Sequence, residues 1–333
     1  MSDYYYEGST FVIENYNKKK TFANFLPGVA GKKGIPLWAF YVNRAQGLSG
    51  YGLQDKGNII MEFTPANKAY ESVGTIGFRT FYKIDGTYYE PFRNESDLPH
   101  TMRVDKGSFT IEETNEDLGI KTSVTYFGLP EEPVAGLVRK VTVTNMGSES
   151  KDIEMLDGLA EILPSGVHNE AFKATSNLLQ SWMDVDHLND QLAYYKLRAS
   201  TNDSSEVSEK TDGNFYTAVV EGERITPVVD QDLVFGHNSG KTTPAYFLEH
   251  TLEEIMSAEQ VTANKVPSAF IPLKTTLPAG EARTLHALSG HAETYPILEK
   301  ALDKLRFPNI SLSLSLLITS RVSTFWLSCL IPA

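Results

Sequence analysis

From about residue 10 to residue 290 the chain repeats one local pattern, a short run of β-branched and aromatic residues closed by a turn signal. The pattern has period two almost throughout, which sends successive side chains to opposite faces of a strand. In RTFYKIDGTYYEPF, Asp85-Gly86 separates two aromatic-rich runs and supplies the positive φ angles of a two-residue hairpin. SFTIEETNEDLGIKTSVTYFG puts Phe109 and Ile111 on one strand and Ile120, Thr122, Val124 and Tyr126 on the next. GLVRKVTVTNMGSESKDIEMLDGLAEI, NFYTAVVEGERITPVV and AFIPLKTTLPAGEARTLHAL each read as strand, turn and strand. Many closely spaced antiparallel hairpins bury their apolar faces by packing sheet on sheet. The expected fold is therefore all-β, a large antiparallel β-sandwich, for which 333 residues suffice.

Helical periodicity is rare. Short helices are expected over Asn189 to Leu197 and His250 to Gln260. The clearest lies late, where Thr294 caps, Pro296 fits the first turn, and Tyr295, Leu298, Leu302 and Leu305 fall on one face. SEVSEKTDGN, Ser205 to Asn214, reads as a polar surface loop.

The last stretch, FPNISLSLSLLITSRVSTFWLSCLIPA, breaks the pattern. The chain has 30 Lys and Arg and 42 Asp and Glu, yet residues 307–333 hold only Arg321 among them. A membrane span needs ~20 mostly apolar residues, whereas this segment has serines at 311, 313, 315, 320, 323 and 328, and Arg321 near its middle costs about 3 kcal/mol in insertion. No membrane anchor is expected. The abrupt change near Arg306 suits a shift of reading frame or a truncation, so 307–333 is expected not to belong to the fold. Its low charge and high β-propensity predict poor solubility.

A net charge of -12 and a pI near 5.1 exclude a sequence-independent grip on nucleic acid, because no basic stripe displaces counterions from phosphates. The single cysteine, Cys329, lies in the tail and leaves no disulfide or thiol chemistry elsewhere. MSDYYYEGSTFVIEN lacks a basic region followed by an apolar run, so no secretory signal is read and a cytoplasmic location is expected. The sequons at Asn94 and Asn202 are then chance matches.

GHNSGKTT from Gly236 departs from a phosphate-cradling loop, with three residues between its glycines where four are needed, and GVAGKKG at Gly28 is weaker. The histidines at 100, 168, 187, 237, 250, 286 and 291 show no metal-ligand spacing, so no metal is expected. Asp184, Asp186 and Asp190, Glu131 with Glu132, and Glu253 with Glu254 are adjacent acids that read as solvated surface rather than a catalytic pair. More informative is GIPLWAFYVNRAQGLSGYG, where strand aromatics lead into a bend containing Gly47, Gly50 and Gly52. Trp38, Asn43, Arg44 and Gln46 are the candidate substrate-binding residues, since amide and guanidinium groups beside aromatic faces suit sugar hydroxyls and rings. The alternative is that the aromatics fill the core and Arg44 pairs with a carboxylate.

PLWAFYVNRAQGLSGYG with GNIIMEFTPANKAY and GFRTFYKIDGTYYEPF resembles the N-terminal region of glycoside hydrolase family 94, the cellobiose phosphorylase family. Within it the likeness is greatest to enzymes acting on 1,2-β-oligoglucans. GLVRKVTVTNMGSESKDIEMLDGLAEILPSG and LPAGEARTLHALSGHAE look like strands of the same region, so the resemblance covers roughly residues 10 to 305. It implies a galactose-mutarotase-like β-supersandwich over 1–292, the start of a helical linker over 293–306, and an (α/α)6 barrel beyond, which carries inverting phosphorolysis. There, an aspartic acid protonates the glycosidic oxygen while inorganic phosphate, the co-substrate, attacks the anomeric carbon, so one acid suffices. No other cofactor is implied. No catalytic residue can be carried over, because the family's acid lies in the barrel. β-Glucan oligosaccharide as ligand and a homodimer are further implications. The rivals are a stand-alone carbohydrate-binding module and a mutarotase-like enzyme, for which the sequence shows no clearly placed His and Glu pair.

Overall fold

A computed structural model describes residues 3–26, 35–129, 132–198 and 210–304. Its strands are β1 Tyr4–Glu7, β2 Thr10–Glu14, β3 Ala23–Leu26, β4 Leu37–Val42, β5 Leu48–Leu53, β6 Asn58–Met61, β7 Phe78–Ile84, β8 Thr87–Tyr89 and β9 His100–Val104. They continue as β10 Ser108–Asn115, β11 Ile120–Gly128, β12 Ala135–Asn145, β13 Lys151–Leu159, β14 Met183–Asp186, β15 Ala193–Leu197, β16 Gly213–Val220, β17 Glu223–Ile225, β18 Ala269–Leu277 and β19 Ala282–Ala292. The α-helices are α1 Ala66–Ile76, α2 Asn169–Leu179, α3 Asp232–Phe235, α4 Ala245–Glu249, α5 Leu252–Ser257 and α6 Tyr295–Lys304.

One sheet runs β1-β2-β9-β10-β11-β12-β19-β16-β15-β14, with β17 on β16. A second runs β18-β13-β7-β8 and a third β3-β4-β5-β6. Every strand pair is antiparallel. The main core takes Ile111, Val124, Val141 and Leu285 from the large sheet, Tyr82, Met155 and Ile271 from the second, and Ala39 and Tyr51 from the third. The large sheet is thus one layer and the two small sheets together form the other, an antiparallel β-supersandwich.

Helices seal the outer faces. Phe81, Leu156 and Phe270 of the second sheet meet Val234, Phe235, Phe247 and Ile255 from α3, α4 and α5. Because Phe81 and its neighbour Tyr82 point to opposite faces and both are buried, this sheet reads as a near-continuous apolar run. On the large sheet, Val138, Phe215 and Leu288 face outward under Leu298, Ala301 and Leu302 of α6. Each of those two leucines contributes about 1.5–3 kcal/mol by burial. The expected late helix is therefore present, docked on the sandwich.

The Asp85-Gly86 hairpin forms as expected, with φ of 49° and 81°, and so do the β10–β11 and β16–β17 hairpins. Two expected hairpins do not. β12 and β13 lie in different sheets, as do β18 and β19, so both turns are corners at which the chain changes layer. Asn145 holds the two corners together. Its buried Nδ2 donates to Leu277 O at 2.9 Å and Glu149 O at 2.7 Å, its Oδ1 accepts from Gly147 N at 2.9 Å, and its backbone N–H donates to Glu281 O at 2.9 Å.

The helix expected over 189–197 is instead a single turn, Leu188–Asp190, followed by β15, whose Tyr194 and Tyr195 are buried on opposite faces. Pairing with β14 and β16 outweighs local preference there. α5 occupies the other expected helix, closed by a capping box between Thr251 and Glu254. α1 and α2 were not foreseen; α1 buries Ala69 and Val73 against Phe40 and Val42. The 307–333 segment, Leu305, Glu131, all of GVAGKKG and residues 205–209 lie outside the described residues.

Candidate functional site

The bend between β4 and β5 is closed by Val42 N donating to Gly47 O at 2.8 Å and Gly47 N donating to Arg44 O at 3.0 Å. Asn43 is fully buried: Oδ1 accepts from Phe22 N at 2.9 Å, and Nδ2 donates to Tyr16 O at 2.9 Å and Lys20 O at 3.1 Å. Arg44 donates from Nη1 to Asn43 O at 2.6 Å and from Nη2 to Lys19 O at 3.1 Å. Trp38 is half-buried, donates from Nε1 to Asp55 O at 2.9 Å, and sits edge-on to Phe63 with ring centres 5.5 Å apart. A Cβ on Gly52 would come within 2.7 Å of the Trp38 ring and 2.3 Å of Asn58 O, so the strand has room only for glycine beside the tryptophan. The four candidates therefore do not converge on one opening.

Gln46 points into the centre of the sandwich. Its Oε1 accepts from Arg139 Nη2 at 2.6 Å and its Nε2 donates to Thr80 Oγ1 at 3.0 Å. Arg139 in turn donates to both carboxylate oxygens of Asp157, at 2.6 and 3.1 Å, and to the Tyr126 hydroxyl, while Thr80 donates to Asp157 Oδ1 at 2.6 Å. The guanidinium also lies 4.9 Å from the Phe78 ring centre. The buried Asp157 carboxylate holds the Arg139 pKa above its ordinary value against the effect of burial, and burial drives the Tyr126 hydroxyl well up. This clasp joins all three sheets. Beside it lies a cavity of about 130 Å³ lined by Gln46, Arg79, Glu90, Phe92 and Thr242. Arg79 meets Glu90 with two hydrogen bonds, at 2.7 and 3.0 Å, so the facing charges are already matched.

A larger cleft, of about 300 Å³, opens between the end of β19, the entry to β16, the β5–β6 hairpin and the segment before α2. His168, His291, Asp212, Asn214, Lys210 and Glu293 line it, beside the apolar Ile35, Leu53 and Ile59. Ser165 Oγ donates to Asp212, whose carboxylate lies 3.8 Å from Lys210 Nζ. His291 is largely buried, its Nδ1 3.1 Å from Asn214 Oδ1. Burial lowers the His291 pKa. No motif in the sequence marks this grouping, because its members come from positions 35 to 293 and no spacing links them. It does bring histidine and carboxylate side chains to one cleft.

Several of the adjacent acids have structural partners. Asp186 pairs with Lys196 at 2.7 Å, Asp190 accepts from Tyr295 at 2.8 Å, and Glu253 pairs with Lys274 at 2.8 Å. Burial, then the neighbouring Asp186, raises the Asp184 pKa. GHNSGKTT forms turns between α3 and α4, with Lys241 paired to Glu161. Among the described residues no group of three His, Cys, Asp or Glu is placed to hold a metal ion, and no helix is long and apolar enough to cross a membrane.

No protein-family profile matches the chain, and no curated protein matches it. Among solved structures it is similar to a polysaccharide lyase, at 13% identity over 84% of this chain and 34% of the lyase, with a TM-score of 0.44. It is also similar to a bacterial glucoamylase complexed with acarbose, at 8% identity over 88% of this chain and 38% of the other, with a TM-score of 0.39. A protein provisionally named as an aldose 1-epimerase, from Klebsiella pneumoniae subsp. pneumoniae MGH 78578, aligns at 8% identity over 89% of this chain and 91% of its own, with a TM-score of 0.37. The chain spans little more than a third of the length of the lyase and the glucoamylase. Likeness at this level bears on neither activity nor substrate.

Proposed function

We propose that this chain is the N-terminal, non-catalytic supersandwich of a family 94 glycoside phosphorylase, of the kind that reversibly phosphorolyses β-glucan oligosaccharides to α-glucose 1-phosphate. The observation that carries the reading is the order of parts. The stretches whose sequence resembles the family are the ones that build the antiparallel sandwich, and α6, where the family's linker begins, follows β19 directly and packs on the large sheet. In that setting the sandwich is a scaffold, and phosphate and general acid belong to the barrel of the complete enzyme. The reading is tested by incubating the chain with 1,2-β-glucan oligosaccharides and inorganic phosphate and assaying glucose 1-phosphate. None is expected, and release above a protein-free blank overturns it.

A second reading is favoured by the larger cleft, where His291 and two carboxylates face one opening. Anomerisation of a free sugar needs such an acid and base. NMR exchange rates between glucose anomers, with and without protein, separate the two readings; no acceleration is expected.

A further inference from the structure

The larger cleft has a polarity of its own. Asn214 donates its amide N–H to Leu163 O at 2.7 Å, which turns its Oδ1 toward His291 Nδ1, 3.1 Å away. An amide oxygen only accepts, so the His291 proton resides on Nδ1 and Nε2, on the far side of the ring, is left as a lone-pair acceptor. Burial keeps a second proton off the ring even though the Asp212 and Glu293 carboxylates favour one, and Lys210 opposes it too. Asp212 takes one hydrogen bond from Ser165 and retains further acceptor sites. Among the described residues that line the cleft, Lys210 is the one ammonium against the two carboxylates of Asp212 and Glu293, so these side chains are rich in acceptors and carry a net negative charge.

We infer that this cleft binds one residue of a neutral saccharide, whose hydroxyl groups donate to His291 Nε2 and Asp212 while its ring carbons lie against Ile35, Leu53 and Ile59. The identification rests on reading the chain as part of a carbohydrate-handling protein, but the preference for hydroxyl donors follows from the side chains themselves. An anion such as phosphate brings acceptors to acceptors and meets the two carboxylates with a single cation to offset them. The volume of about 300 Å³ stands at the small end of ligand pockets, which suits one hexose rather than a long chain.

The test is titration of the whole chain with sophorose, the 1,2-β-linked glucose disaccharide, and separately with inorganic phosphate, followed by calorimetry and by amide chemical shifts. Saturable sophorose binding is expected, with shifts at Ser165, Asn214 and His291, and no saturation with phosphate over the same range. Asp212→Asn and His291→Gln, each checked for an unchanged melting transition, should weaken sophorose at least tenfold, and Arg44→Ala at the bend should leave it unaltered. Phosphate binding in the cleft, shifts confined to the bend, no sophorose binding to the unmutated chain, or undiminished affinity in a folded Asp212→Asn protein would each overturn the inference. None of these results depends on whether glucose 1-phosphate is released, so the inference and the phosphorylase reading fail separately.

Discussion

Arg139 brings a full positive charge to the centre of the sandwich, with a side chain 1% exposed. Such a charge is tolerable only where it is paired and hydrogen-bonded, and Asp157, Gln46 and Tyr126 together do this. Arg139→Met leaves Asp157 buried without its partner and should cost about 3–5 kcal/mol, read as a lower urea midpoint. The inward face of β12 was legible from Val141 and Val143, which alternate with Thr142 and Thr144, and Arg139 falls on that face. Gln46 was not, because a glycine-rich bend looks solvent-exposed whether or not its side chains turn inward. Half-buried His286 and buried His291 have pKa values pulled down by burial from the ordinary 6.5. Below pH 6.5 the unfolded chain takes up protons that the folded protein refuses, so these residues lower stability as pH falls through that value and have no effect above it. The melting temperature should drop between pH 7.5 and 5.5, and a folded His286→Gln, His291→Gln double variant should show a shallower drop.

Strands and two-residue hairpins were readable because Asp-Gly and alternating apolar residues act locally, as at Asp85-Gly86. The layer changes after β12 and β18 were not. Their turns resemble hairpin turns, and which sheet receives the next strand is decided by packing far away in sequence. Asn145 marks these corners, since it reaches Leu277 across 132 residues. Asn145→Ala should destabilise by about 2–4 kcal/mol, because buried carbonyl and amide partners are left unsatisfied. Asn145→Asp should not restore the loss, because a carboxylate cannot donate to Leu277 O and Glu149 O. Equilibrium urea unfolding of both variants measures this. The larger cleft escaped the sequence for the same reason as the corners, since β16, β19 and the segment before α2 meet only once the layers have formed.

At the scale of the whole molecule, a wide sheet packs on two narrow ones, with helices packed on their outer faces, and Gln46 of the predicted bend is consumed in holding the layers together. That use of the bend is what a scaffold requires, and it leaves the larger cleft for ligand contact. The alternation along the chain carried the class of fold, whereas the function rests on a resemblance spread over many strands without a diagnostic motif. The most direct test runs the reaction of the proposed parent family in reverse. With α-glucose 1-phosphate as donor and sophorose as acceptor, the chain is predicted to release no inorganic phosphate above a protein-free control. Phosphate release in proportion to protein, together with formation of the trisaccharide, would contradict the assignment of the sandwich as non-catalytic.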